Sequence, residues 1–287
     1  MGRFSDVLLT VDFDRTLTAT DSSIPERNLE AIRYFMAEGG AFTVNTGRGL
    51  AMSRVFFDKV PMNAPVLLCN GGAAYDAEKE AFVFAHEIPL PQGPTLRRIA
   101  ALCREQIMEV HGADAHYGFT RNAVWERFCQ RIGVPGRVVG MDDDLGPFLK
   151  ICVSDGMNLG TVDSLFHADA AVVERMDRVE AALRAELGEN ATILRVAPRT
   201  VDIVAPGVSK GGAARQLQAV LGKKLLICAG DEQNDISMLD MADFSFCPAG
   251  SAVADRYPNV CSCNEGAVAD VIYKKIPAIL ERMYVLK

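Results

Sequence analysis

Three short apolar runs, Val7–Val11, Ala41–Val44 and Leu225–Ala229, each stop abruptly at a polar cluster. The first runs into Asp12-Phe13-Asp14-Arg15-Thr16, the second into Asn45-Thr46-Gly47-Arg48, and the third into Gly230-Asp231-Glu232-Gln233-Asn234-Asp235. Apolar runs of this length, alternating with helical periodicity, read as buried parallel strands joined by helices. The expected fold class is α/β, a doubly wound parallel sheet of the Rossmann-like kind. Open sheets of this type bind ligands beyond the carboxyl ends of their strands, so all three clusters are expected to meet in one crevice.

The pattern along the chain divides it into two domains. Ser23 and Pro25 offer an N-cap and a rigid first turn to a helix through Leu29, Ile32 and Met36 that stops at Gly39-Gly40. A helix over about 49–60 and a strand over 66–69 follow, before the turn Asn70-Gly71-Gly72. The character then changes, and Pro89, Pro91 and Pro94 mark a boundary. Beyond it the spacing predicts helices near 95–110 and 122–132, a strand over 148–153, a long helix over 171–187, and strands over 192–196 and 201–204. After Pro206-Gly207 the first pattern resumes, with a helix over 210–221, a strand, a helix over 235–241 and a short strand over 244–246. The expected organisation is a core of residues 1–75 and 205–287 interrupted by an α/β cap over 76–204. Hinges are expected at the two crossings, near 72–76 and 206–208.

Composition narrows the function. With 287 residues, 49% apolar and 23% charged, the chain is globular and large enough to bury about 75% of its unfolded surface. Thirty Lys and Arg against thirty-seven Asp and Glu leave a net charge of −7, without the basic face that phosphate-backbone binding requires, so no nucleic-acid partner is expected. No run approaches the ~20 apolar residues of a membrane span and Val7–Val11 is too short for a signal-peptide core, so the expectation is a cytoplasmic protein, monomer or homodimer, with no membrane partner. Eight scattered cysteines without a Cys-x-x-Cys pair read as reduced thiols and not as a zinc site.

Four carboxylates, Asp12, Asp14, Asp231 and Asp235, converge at the expected strand ends. They would repel one another without a hard cation, and an oxygen-only donor set favours Mg2+ over zinc. An aspartate at the end of a strand can attack phosphorus and split hydrolysis into two displacements, which assigns Asp12 as nucleophile. Asp14, two residues on, can hand a proton to the leaving oxygen and then act as general base for water. The transferring phosphoryl group needs fixed donors, for which Thr46, the Gly47 amide, Lys210 and Asn234 are candidates. Ser209 is expected to cap the helix that Lys210 opens.

These residues carry a resemblance. Asp12-Phe13-Asp14-x-Thr16-Leu17, Thr46-Gly47-Arg48, Lys210 within Val208-Ser209-Lys210-Gly211, and Gly230-Asp231-x-x-Asn234-Asp235 resemble, in order, the four motifs of the haloacid dehalogenase superfamily. Asn70-Gly71-Gly72, the long insertion and the closing Asn264-Glu265-Gly266-Ala267-Val268-Ala269 resemble the Cof-like sugar-phosphatase branch, whose α/β cap lies between the second and third motifs. The resemblance implies Mg2+ held by the carboxylates of Asp12 and Asp231 and the backbone carbonyl of Asp14, with Asp235 in or beside the shell. It also implies that Lys210 restrains Asp12. Arg15 stands where the branch has Gly, a substitution that strains the turn if positive φ is required and puts a charge beside the metal.

The leading expectation is a Mg2+-dependent phosphomonoesterase acting on a small phosphate ester, a sugar phosphate above all, with Arg48 and the cap deciding selectivity. A phosphomutase keeps the same phospho-aspartate and returns the phosphoryl group to another hydroxyl. A phospho-aspartate signalling module and a silent binding protein fit less well, because an insertion interrupts the fold and all four motifs are intact. In the cap, Asp114, His116, Tyr117, Lys150 and Asp202 are candidates to line the pocket. The charges at Glu174, Arg178, Glu180 and Arg184 read as surface pairing. His86, His111 and His167 have no ligand-like spacing and are assigned no role.

Overall fold

The computed structural model describes residues 2–113, 115–119, 123–155 and 167–285. The first expectation holds: β1 (Val7–Val11) lies between β2 (Ala41–Val44) and β12 (Leu225–Ala229), parallel to both. Strands β13 (Phe244–Pro248) and β14 (Asn259–Val260) complete a five-stranded parallel sheet of order β14-β13-β12-β1-β2. Both faces are covered. Alternate residues of β1 explain how: Val7, Leu9 and Val11 join a cluster with Ile32 and Phe35 of α1 (Glu26–Ala37), while Leu8 faces Ala213, Leu217 and Leu239 from α6 (Lys210–Val220) and α7 (Ile236–Met241).

A second body lies between these halves. Its six-stranded sheet has the order β10-β11-β9-β6-β7-β8, formed by β6 (Ile107–Gly112), β7 (His116–Gly118), β8 (Gly136–Val138), β9 (Phe148–Ser154), β10 (Thr192–Ala197) and β11 (Thr200–Val204). Helices α3 (Gln92–Leu102) and α5 (Ala170–Leu187) bury Leu96, Ile99, Met176 and Leu183 against Val110, Ile151, Val153 and Ile203. The opposite face of the sheet carries Glu109, His111, Lys150, Cys152 and Asp202, turned toward the parallel sheet's strand ends. The pairs Glu174–Arg178 and Glu180–Arg184 sit on the outside of α5 at i,i+4, as expected.

Several sequence expectations need correction. The helix expected over 95–110 ends at Leu102, and its last third is strand β6. Buried polar residues on one face of that strand, alternating with Met108 and Val110 on the other, hid its period of two. The crossing expected near 72–76 is itself a strand: β4 (Ala73–Asp76) pairs with β3 (Val66–Leu68) on one side and β5 (Ala81–Ala85) on the other. Tyr75 and Phe82 pack with the parallel-sheet body, so packing passes from one body to the other between Ala85 and Ile88. Ser23 does not cap α1, because its hydroxyl and amide are both held by Asp21, and Pro25 is the residue at the cap. Helices α8 (Ala267–Asp270) and α9 (Ile276–Val285), absent from the sequence reading, cover the α1 face. α4 (Ala123–Arg131) falls where a helix was expected, while Asp114 and residues 156–166 lie outside the described residues.

All eight cysteines are free thiols, and seven are buried. Among the described residues no helix is long and apolar enough to cross a membrane. The approach of α6 to α7 depends on Gly211, where a Cβ would lie 2.1 Å from the Ser237 carbonyl oxygen. Gly211→Ala is expected to lower stability by about 1–3 kcal/mol through overpacking, measured by urea denaturation. An unchanged midpoint would contradict this account of the helix contact.

Candidate active site

β1 ends where the backbone turns away from the sheet. The Asp12 amide still donates to the Ala229 carbonyl at 2.9 Å, and the Asn45 amide donates to the Val11 carbonyl at 2.8 Å, which fixes the three strand ends side by side. The loop then folds through Arg15 at φ 61°, ψ 8°, so this position does require the left-handed region and a non-glycine residue is strained there. The Arg15 amide donates to Thr18 Oγ1, and the Thr16 hydroxyl donates to Asp231 Oδ1 at 2.8 Å.

Lys210 lies at the centre. Ser209 caps α6 by accepting from the Gly212 amide, which starts the helix at Lys210 and sends its side chain between two aspartates. The ammonium donates to Asp12 Oδ1 at 2.5 Å and to Asp235 Oδ1 at 2.6 Å. Burial works against its charge, but Asp12 and Asp235 outweigh that penalty and hold its pKa above the usual lysine value. The second oxygen of Asp235 accepts from the amides of Asp231 and Glu232, closing the turn after β12. Oxygen atoms of Asp12, Asp231 and Asp235 lie within 4.8 Å of one another. Burial pushes Asp12 up to about 7, opposed by Lys210 and aided by Asp235 and Asp14. Asp231 is raised well above the usual range by burial, then by Asp12 and Asp235.

The second cluster supplies the cavity's other wall. The Arg48 guanidinium spans both oxygens of Asp14 at 2.6 and 3.0 Å and lies over the Phe13 ring. The Thr46 hydroxyl accepts from the Arg48 amide. Asn234 donates to Asn70, and Asn70 donates to Asp202 of the second body at 2.8 Å. Lys150, also of that body, donates to Asp202 at 3.0 Å and to the Gly47 carbonyl at 2.8 Å.

Asp12, Asp14, Thr46, Gly47, Arg48, Asp231 and Asn234 thus border one cavity of about 140 Å³, with Lys210 and Asp235 buried behind it. Of the cap candidates, Lys150 and Asp202 line that cavity and Tyr117 does not. His116 is fully buried behind it. His111, assigned no role from sequence, lines it together with Glu109. Asn70, read as a turn and as part of the resemblance but given no role in the site, joins both bodies and sits at φ 55°.

The chain is similar to known proteins over most of its length. A family model described as haloacid dehalogenase-like hydrolase matches residues 9–133 and 157–272. The chain is 26% identical over 281 residues, 93% of its length and 95% of the relative's, to the 5-amino-6-(5-phospho-D-ribitylamino)uracil phosphatase YbjI of Escherichia coli (strain K12). Among solved structures, a haloacid dehalogenase-like hydrolase from Bacteroides thetaiotaomicron superposes with a TM-score of 0.74 at 19% identity, covering 92% of this chain and 97% of the other. One described as a HAD subclass IIB sugar phosphatase gives 0.72 at 18% identity, covering 92% and 97%.

The raised acids make a prediction about pH. A carboxylate with a folded-state pKa of about 7 against 3.8 unfolded binds an extra proton in the folded state, so its stabilising effect is present below about pH 4 and is lost as pH rises through 7. Without divalent cations, Asp12 should therefore erode stability between about pH 4 and 7, by at most ~1.4 kcal/mol per pH unit. Urea denaturation across that range should show a flatter profile for Asp12→Asn than for the unmutated chain, and equal slopes would contradict the assignment.

Proposed function

The chain belongs to the haloacid dehalogenase-like hydrolases, and from that membership we propose that it hydrolyses phosphate monoesters with Asp12 as nucleophile and Mg2+ as cofactor. The observation that carries the reading is the Asp12–Lys210–Asp235 arrangement behind a cavity that Asp14 and Asp231 also face.

The donor set suits a hard cation. Asp12 and Asp231 are buried carboxylates raised by burial and by neighbouring acids, a state that a divalent ion relieves. The carboxylates of Asp12 and Asp231 and the backbone carbonyl of Asp14 are the proposed ligands. Asp235 has both oxygens engaged, one by Lys210 and one by backbone amides, so its proposed part is to position Lys210 and Asp231 beside the ion. The ion supplies charge neutralisation to the phosphoryl oxygens.

In the first step a carboxylate oxygen of Asp12 attacks phosphorus and the bond to the leaving oxygen breaks, with Asp14 giving that oxygen a proton. In the second, Asp14 takes a proton from water, whose oxygen displaces the phosphoryl group from Asp12 and frees inorganic phosphate. Thr46, the Gly47 amide, Lys210 and Asn234 hold the charge that develops on the phosphoryl oxygens. Since Arg48 grips both oxygens of Asp14, this pair opens when a substrate arrives, and the released guanidinium is placed to meet the phosphate or its leaving group.

The proposed substrate is a small phosphorylated metabolite, a sugar phosphate or a related polyol phosphate. The Escherichia coli relative is named for a phosphorylated ribityl compound, and a structural neighbour is described as a sugar phosphatase. The second body supplies one wall of the cavity, whose volume of about 140 Å³ suits a small ester.

Release of inorganic phosphate from a panel of sugar and polyol phosphates, with Mg2+ and with EDTA, tests the reading; isomerised sugar phosphate without phosphate release would indicate a mutase. Asp12→Asn should leave less than a few per cent of the activity, since an amide is no nucleophile. Asp14→Asn should cost ~10²–10⁴-fold on alkyl phosphates and far less on p-nitrophenyl phosphate, whose leaving group needs little protonation. Equal losses on both would assign Asp14 to the metal alone.

A further inference from the structure

The cavity wall opposite the aspartates holds a second cluster with different chemistry. Glu109 and His111 are two apart on β6 and share a face, and His116 of β7 is the cross-strand partner of His111. One ligand atom from each of the three side chains lies within 4.8 Å of the others. They are 2%, 3% and 0% exposed. The two imidazoles stack at 4.7 Å and 22°, and Trp125 closes on His116 edge-on at 5.6 Å.

The cluster's polar atoms are not used up. His116 Nε2 lies 3.1 Å from Glu109 Oε2 and His111 Nε2 lies 4.0 Å from it. The first contact is not aligned as a hydrogen bond. Among the described residues, Glu109 Oε1 and both ring nitrogens of His116 are buried without a hydrogen-bond partner. Leaving such groups unsatisfied is unfavourable, and buried carboxylates are normally paired or ligate a metal. The cation next in the ladder, Lys150 opposite His111, is committed to Asp202 and the Gly47 carbonyl.

We propose that Glu109, His111 and His116 form a binding site for a divalent transition metal of the zinc class, distinct from the oxygen-only site at Asp12 and Asp231. Two imidazoles and one carboxylate are a zinc donor set, whereas Mg2+ prefers oxygen alone. Three protein ligands leave a coordination position open. Glu109 and His111 border the cavity, so that position faces the space where a leaving group would sit and suits an oxygen or nitrogen donor on a small ligand. Ring orientation supports the assignment: Gly49 of the parallel-sheet body approaches His111 from its Nδ1 side, where a Cβ would come within 2.6 Å, which turns Nε2 toward Glu109. Binding here does not depend on the phosphatase reading.

The full-length protein in excess Mg2+ is titrated with Zn2+ by calorimetry, and its metal content is measured after gel filtration. One equivalent of zinc should be retained, and Glu109→Gln, His111→Asn and His116→Gln should each weaken it by more than the ~10–100-fold that loss of a mere supporting group costs. No retained zinc, or unchanged affinity in all three variants, overturns the proposal. Because His116 is fully buried and its variant could fail to fold, Co2+ bound to the unmutated chain provides a second reading. Ligand-field bands without a thiolate charge-transfer band support imidazole and carboxylate ligation, and a thiolate band would move the site to a cysteine and overturn the proposal.

Discussion

The buried Lys210 ammonium is the contact on which the site's geometry depends. It ties the end of β1 through Asp12 to the turn after β12 through Asp235, and it does so from the first residue of α6. Lys210 lies 198 residues from Asp12 and 25 from Asp235, so three distant segments meet at this one charge. Desolvating an ion pair is costly, and breaking a buried one by removing a partner typically costs ~3–5 kcal/mol because the remaining charge is left uncompensated. Here two carboxylates share one cation, with Asp231 and Asp14 nearby, so the local balance is acidic. Burial raises Asp12 and Asp231, the neighbouring acids add to that shift, and a bound cation would offset both.

A second set of polar contacts links the two bodies across the cavity. Lys150 reaches from β9 to the Gly47 carbonyl, and Asp202 on β11 accepts from both Lys150 and Asn70. Asn70 in turn accepts from Asn234 beside the third cluster. Gly47 and Asn234, two of the residues proposed to hold the phosphoryl group, are therefore members of hydrogen-bond chains running into the second body. These contacts explain why its sheet turns a polar face toward the cavity and an apolar face toward α3 and α5.

Much of this was determined by sequence alone. Apolar runs that end in clustered acids specify buried parallel strands with polar loops at one end, because side-chain period and burial are local properties. Asp12, Asp14, Thr46, Gly47, Arg48, Asp231 and Asn234 could thus be assigned to one cavity before the fold was seen, with Lys210 beside them. The strain at Arg15 was expected from the resemblance, which has Gly there, on condition of a positive φ, and its φ of 61° meets that condition. Only the tertiary structure decided the rest. β6 was mistaken for the end of a helix because Glu109 and His111 are polar yet buried, and their burial comes from a sheet face meeting another body, which no local pattern records. His111 and His116 lie five residues apart without ligand spacing, and they adjoin Glu109 because β6 and β7 pair antiparallel. Asn70 and Lys150 acquire their parts for the same reason: contacts made across a hundred residues are set by how two sheets dock, and the residues that make them carry no mark of it in their own neighbourhood.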